Sequence, residues 1–191
     1  MDRILKDNRY HLFDAHNPVI GTGLVMGAET AFNVLMAVLS HFNPANSKMH
    51  HVPTSLILRV TGAGVATTGL ELAMVLDPLD RHSAGGTQLT AVDRKVGAPR
   101  ASVAEIHAGA LTLVAQGASG KRFTQRILKA AALAVDDEFQ LDFDEERGGI
   151  DFGKVAIRPG DNLVLHAWAP AQTTPPEFEI DYRWREVQER F

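Results

Sequence analysis

An all-β, antiparallel sandwich of the jelly-roll type is the fold this sequence predicts, and three observations point to it. Large apolar and charged residues alternate without a miss over Phe178-Glu179-Ile180-Asp181-Tyr182-Arg183-Trp184-Arg185. A period of two puts Phe178, Ile180, Tyr182 and Trp184 on one face of a half-buried strand and the charges on the other. Short apolar runs recur between turn-forming residues along the whole chain, which carries 16 Gly and 9 Pro. Many short strands between turns suit a sandwich or barrel and not a βαβ layout. The 191 residues contain no linker-like block and no internal repeat, so a single domain is expected.

In chain order, Tyr10 to Phe13 and Val19 to Val25 are short strand candidates. Residues 31–42 form a near-continuous apolar run whose period does not separate strand from helix. Strand is preferred, because Asn43-Pro44 ends the run as a turn and the neighbouring segments read as strands. Thr54 to Val60 is bounded by Pro53 and by Gly62 and Gly64, and Leu70 to Leu76 stops at Asp77-Pro78. These two runs are expected to pair as a hairpin. Residues 101–115 place Val103, Ile106, Ala110 and Val114 at helical spacing but also supply strand-like pieces. Gly109 weakens the helical alternative by about 1 kcal/mol. Residues 122–134 are equally undecided. Ala134 to Asp137 reads as a turn, and Phe139-Gln140-Leu141-Asp142-Phe143-Asp144 repeats the alternating pattern. Leu163 to Trp168 is a strand opened by Arg158-Pro159-Gly160-Asp161-Asn162, in which Pro presets φ and Gly accepts a positive φ. Pro170 to Pro176 is then a stiff connection to the last strand.

Hydrophobic residues make up 45% of the chain and charged residues 22%, enough to build a core and too apolar for wholesale disorder. A net charge of −4 gives no electrostatic ground for nucleic-acid binding. The absence of cysteine excludes disulfides, thiolate metal sites and cysteine nucleophiles. The first seven residues mix charge signs without an apolar run, so no secretory signal is expected there. The apolar-rich stretch Ala31 to Leu39 is too short for a membrane span.

Chemical motifs are broken wherever they begin. Gly21-Thr22-Gly23-Leu24-Val25-Met26 has Met where a dinucleotide fingerprint needs its third Gly, and reads as a Gly-rich turn. Gly117-Ala118-Ser119-Gly120-Lys121-Arg122 fails the phosphate-loop spacing at both ends, and reads as a basic turn. His50 and His51 are adjacent, so on a strand they face opposite ways and do not share one metal. His166 lies on the face shared by Val164 and Trp168. Pro159-Gly160 followed by His166 faintly resembles the second motif of metal-binding cupins, but the first motif is missing, and one His cannot make a three-ligand site. The acids Asp136-Asp137-Glu138 and Asp142, Asp144, Glu145 and Glu146 lack the Gly and terminal Glu of a calcium loop. No Ser stands in a Gly-x-Ser-x-Gly context. No catalytic, cofactor-binding or metal residue is therefore assigned. Trp168, Phe178, Ile180, Tyr182, Trp184 and His166 are the candidates for fold-defining or interface roles, with the aromatics turned to the core.

Residues 156–186 carry a more specific pattern. The Pro159-Gly160 turn leads into the strand Leu163-Val164-Leu165-His166-Ala167-Trp168. The connection Pro170-Ala171-Gln172 follows, and then the alternating strand closes on Tyr182, Trp184 and Glu186. This stretch resembles the capsid decoration, or cement, proteins of tailed bacteriophages. Weaker similarity reaches upstream through Phe42-Asn43-Pro44, Leu56 to Thr61, Leu70 to Asp77 and Ala101 to Ala110. The resemblance implies a non-enzymatic virion protein, made in the host cytoplasm and placed on the capsid surface. Its implied partners are the major capsid protein and further copies of itself, a trimer being favoured, with no cofactor, nucleic acid or membrane. The alternatives are another virion component, such as a head-fibre base or tail protein, a cupin-like metal-binding enzyme using His166 with His50 or His51, and a sugar-binding sandwich stacking on Trp168, Trp184 or Tyr182. The chain departs from the family at both ends. An N-terminal arm at 1–9, a jelly-roll domain at 10–185 and a C-terminal tail at 186–191 are thus expected, the tail serving attachment more than folding.

Overall fold

The computed structural model describes residues 10–27, 29–64, 69–95, 97, 99–115, 121–127, 132–143, 150–151 and 155–188. The N-terminal arm and the turn at 117–120 lie outside them. Among the described residues thirteen strands follow one another: β1 (Tyr10–His16), β2 (Leu24–Val25), β3 (Met36–Phe42), β4 (Met49–Gly62), β5 (Glu71–Asp77), β6 (His82–Gln88), β7 (Ala91–Asp93), β8 (Glu105–Leu113), β9 (Lys121–Ile127), β10 (Glu138–Asp142), β11 (Ile150–Asp151), β12 (Asn162–Trp168) and β13 (Glu177–Gln188). The segments left open by the sequence, 31–42, 101–115 and 122–134, thus supply β3, β8 and β9. Their near-continuous or mixed patterns arise because β3 and β8 lie inside a sheet with both faces largely covered.

The strands form two sheets, ordered β11-β10-β4-β13-β1-β7 and β6-β8-β3-β12-β5-β9, with β2 pairing beside β1 on β13. Eight of these strands carry the frame. Taken in chain order as β1, β3, β4, β5, β9, β10, β12 and β13, the first pairs with the eighth, the second with the seventh, the third with the sixth and the fourth with the fifth. All four pairings are antiparallel. This nesting of outer pairs around inner ones, split over two sheets, is the jelly roll. The segment β6–β8 is inserted between the fourth and fifth strands and widens both sheets, β8 pairing with β3 and β7 with β1.

The expected hairpin between 54–60 and 70–76 does not form. β4 pairs with β13 and β10, whereas β5 pairs with β12 and β9 in the opposite sheet. Both runs bury their apolar residues, but against each other across the sandwich. Periodicity reports burial and is silent on pairing partner. The candidate strand 19–25 shrinks to Leu24–Val25, because residues 19–22 form a turn closed by Thr22 N–H on the Val19 carbonyl (3.3 Å), with Gly21 at φ +79°. The turn at Pro159-Gly160 forms as expected: Asp161 N–H donates to Arg158 O at 2.9 Å and Gly160 has φ +91°.

The core lies between the sheets. Phe178, Ile180, Tyr182 and Trp184 of β13 point into it with Phe13 of β1, Leu56, Leu58 and Val60 of β4, Leu72 and Met74 of β5, and Leu163 and Leu165 of β12. The β6 edge of the second sheet is blunted. β6 carries two left-handed glycines, Gly85 (φ +77°) and Gly86 (φ +67°), and its pairing with β8 shifts register twice. A Cβ on Gly86 would stand 2.7 Å from the Ala108 carbonyl oxygen. Such a bulged edge resists pairing with another chain.

The C-terminal boundary moves. β13 runs through Gln188, with Glu186 paired to His51 and His11, and Glu186 is fully buried. The tail expected from 186 is therefore structural for at least three residues. Truncation after Arg185 should lower the melting temperature and not merely weaken attachment. A truncated protein that melts with the full chain would contradict this placement.

Candidate functional site

The six residues singled out by the sequence divide between two places. Phe178, Ile180, Tyr182 and Trp184 form the inner face of β13. Trp184 stacks between Phe13 and Tyr182, each ring centroid 5.5 Å away. Trp168 and His166 do not join them. On β12 it is Leu163, Leu165 and Ala167 that enter the core, so the alternate residues face the outside of the second sheet. The expectation that Trp168 faces the core is corrected here: its ring is covered by Phe32, edge-on at 5.6 Å, from the irregular segment before β3. His166 lies under the same Phe32 ring at 4.9 Å and bonds through Nδ1 to the Met36 carbonyl at 2.6 Å. Burial pushes the His166 imidazole below its usual pKa, against the pull of the Met36 and Asn33 carbonyls. His166, on the outside of the second sheet, and His51, on β4 of the first sheet and turned to the interior, therefore do not meet.

The connection from β12 to β13 crosses the end of the sandwich, as its proline content suggests. Gln172 is buried and donates to Gly27 O at 3.1 Å, and Met26 N–H donates to Pro176 O at 3.0 Å.

Sequence reasoning missed a polar cluster inside the sandwich. His41 of β3, His51 of β4, Tyr182 and Glu186 of β13 are all fully buried. His41 Nδ1 lies 2.8 Å from Tyr182 Oη, and His41 Nε2 lies 2.9 Å from His51 Nδ1. His51 Nε2 is 3.7 Å from Glu186 Oε1, within ion-pair range but too long for a hydrogen bond. The same carboxylate oxygen accepts from Ser102 Oγ and, at 3.5 Å, from Trp184 Nε1. Burial drives the His41 imidazole well below its ordinary pKa, with His51 adding to it. Burial, followed by the charges of His50 and Arg100, takes His51 down to about 3. Burial raises the Tyr182 phenol. Both imidazoles are thus neutral at neutral pH.

Two further features bear on chemistry. A surface groove of 490 Å³ runs over the outer face of the first sheet, lined by Asp14, Ile57, Arg59, Glu179, Asp181 and Arg183 among others. Five of its charged side chains close on one another: Arg59 on Glu179 at 3.0 Å, Arg183 on Asp181 at 2.6 Å and on Asp14 at 3.5 Å. Between the sheets, a gap lined by Leu24, Met26, Leu58, Leu72 and Phe178 measures only 10 Å³, room for about one water. Among the described residues, no three His, Asp or Glu side chains are placed to hold one metal ion, and no helix is long and apolar enough to cross a membrane.

The strand order and the filled interior define a jelly-roll sandwich domain. No family model matches the chain, and no curated protein is similar to it in sequence. Among solved structures it is similar to the unassembled KI polyomavirus VP1 pentamer, with a TM-score of 0.31 and 11% identity over 95% of this chain and 93% of that one. It is also similar to the D431N mutant VP2 protein of infectious bursal disease virus, with a TM-score of 0.21 and 10% identity over 94% of this chain and 40% of that one. The fold assignment stands on the pairing order and not on these likenesses.

Proposed function

We propose that this chain is a structural virion protein of the capsid decoration, or cement, type, which docks on or between major capsid protein subunits and stabilises the head. In this reading it works as a small oligomer, a trimer being favoured, on the capsid surface, and catalyses nothing. One observation carries the reading. The residues that resemble the decoration family, 156–186, supply β12 and most of β13, which sit inside the two sheets and pair on both sides. Their bulky side chains are spent on packing: Tyr182 and Trp184 are fully buried and Trp168 lies under Phe32. They thus offer neither a stacking platform for a sugar nor a ligand set for a metal.

A cement protein must be folded before it docks and must contact several neighbours at once. A rigid sandwich with a bulged β6 edge suits the first need. Weak contacts repeated on a lattice supply the second through effective concentration. Purified protein mixed with capsids should co-sediment at a fixed copy number per capsid subunit and raise the temperature at which the heads rupture. Failure to bind any particle overturns the proposal. Binding confined to tail or fibre structures replaces it with another virion role.

A further inference from the structure

The buried cluster of His41, His51, Tyr182 and Glu186 has a proton count that makes it sensitive to acid. Only one order of donors satisfies the two short contacts with both rings neutral and ends at a carboxylate. Tyr182 O–H donates to His41 Nδ1, His41 Nε2–H donates to His51 Nδ1, and His51 Nε2–H is left facing Glu186. His51 Nε2 and Glu186 Oε2 have no hydrogen-bond partner, so this end of the chain is slack while the rest is taut. The cluster also bridges the two sheets, because His41 belongs to β3 in one, and His51 and Glu186 to β4 and β13 in the other.

One added proton can be housed. With His51 carrying protons on both nitrogens beside the Glu186 carboxylate, His41 takes the other tautomer and its Nδ1–H turns to the Tyr182 oxygen. The phenol proton then loses its acceptor. A second proton cannot be housed. His41 Nε2–H and His51 Nδ1–H would then face each other across the 2.9 Å gap, with two positive rings whose centroids are 5.1 Å apart. His50 on the same strand and Arg100 from the connection before β8 add repulsion. Among the described residues, Glu186 from β13 is the acid within ion-pair range of the pair, and it already accepts from Ser102 and Trp184.

We propose that the His41–His51–Glu186 chain is a proton-operated latch: uptake of two protons by the imidazole pair breaks the cross-sheet bond and releases the C-terminal end of β13, with the Ser102 segment packed on it, before the rest of the sandwich unfolds. The end of β13 lies past the register shift at Arg183/Trp184, where it is held by Met49–Pro53 of β4 on one side and by Tyr10–Phe13, the start of β1, on the other, so its release opens the ends of two ladders and leaves the rest of β13 paired. Local openings of this kind have their own free energy, below the global one. The sign follows from linkage. Both rings have folded pKa values below the ordinary 6.5, so the opened state binds protons that the closed state refuses. The closed latch is favoured above about pH 6.5 and loses ground as pH falls toward the folded pKa of His51, about 3. The inference rests on the geometry of the cluster and is independent of the proposed role in a virion.

Native-state hydrogen exchange on the full chain tests it. Amides of Trp184 to Gln188 should show an opening constant, corrected for intrinsic exchange, that rises about a hundred-fold per pH unit between about pH 6 and 4.5, as two protons require. Amides of Val164 to Trp168 in β12 should stay protected through the same range. His51→Asn keeps an acceptor for His41 Nε2–H and removes one titrating ring, so the rise should drop to about ten-fold per unit. Equal pH dependence in β13 and β12, or a flat opening constant at 184–188 in the natural sequence, overturns the latch. That comparison stands even if the variant does not fold.

Discussion

Replacing Trp184 by alanine is expected to destabilise the fold by about 3–5 kcal/mol, the range for emptying a buried aromatic site. The ring is fully buried. It stacks on Phe13 of β1 and Tyr182 of its own strand and meets His41 of the opposite sheet edge-on, with a centroid separation of 5.4 Å. Backbone strands on either side hold these neighbours in register, Trp184 opposite Phe13 on one flank and Pro53 on the other, so the site cannot collapse to fill the void. The change also removes the indole N–H that Glu186 accepts at 3.5 Å, which leaves a buried carboxylate with one fewer donor. Trp184→Phe should recover most of the packing and a smaller share of the stability. Urea unfolding followed by far-UV circular dichroism measures both. A midpoint for Trp184→Ala within error of the natural sequence would show that the ring does not carry the sandwich.

Much of this core is readable in the sequence, because β13 keeps strict alternation and its inner residues are the bulkiest available. Phe178, Ile180, Tyr182 and Trp184 all fall where period two places them. The polar cluster is hidden for two physical reasons. First, β4 changes face part-way. Leu56, Leu58 and Val60 enter the core at even positions, but the register shift opposite Arg183/Trp184 sets Trp184 against Pro53 and Glu186 against His51. A bulge of one residue exchanges inside for outside, so His51 lies inward although it is odd-numbered. The pattern Met49, His51, Pro53 looks like a polar start to a strand unless the bulge is known. Second, the partners of His51 come from positions 41 and 186, which only the pairing of β13 with β4 and the cross-sheet contact of β3 bring together. Glu186 after an alternating aromatic run was the one available signal, since continuing the period puts it on the inner face with Trp184. The position of Trp168 is hidden for a related reason. Both faces of β12 are buried, so size alone did not say which side belonged to the sandwich interior and which to the cover formed by Phe32.

Arg81 exposes the same blindness on the other sheet, and its substitution is expected to cost as much as that of Trp184. Nothing in the sequence marks it: Asp77-Pro78 and Asp80-Arg81 read as an ordinary charged turn. In the fold both Arg81 and Asp77 are fully buried, with Arg81 Nη1 2.5 Å from Asp77 Oδ2. The guanidinium also donates through Nε to Val114 O at 2.8 Å and through Nη2 to Val34 O at 2.7 Å. One side chain thereby ties the end of β5, the residue after β8 and the approach to β3. Arg81→Met keeps the apolar stem and removes the charge and the donors. It should cost about 3–5 kcal/mol, because a buried carboxylate loses its counter-charge and two carbonyls lose their donor. The exposed pair Arg59–Glu179, with the Arg side chain about half accessible, is the internal comparison: Arg59→Met should cost under about 1 kcal/mol. The double change Asp77→Leu with Arg81→Met should be less damaging than Arg81→Met alone, since removing both charges also removes the penalty of burying one unpaired. Unfolding free energies of the natural sequence, Asp77→Leu, Arg81→Met and the double variant close a four-member cycle. A double variant that loses the full sum of its single changes would show that the two groups act separately and that the buried pair does not hold these three segments together.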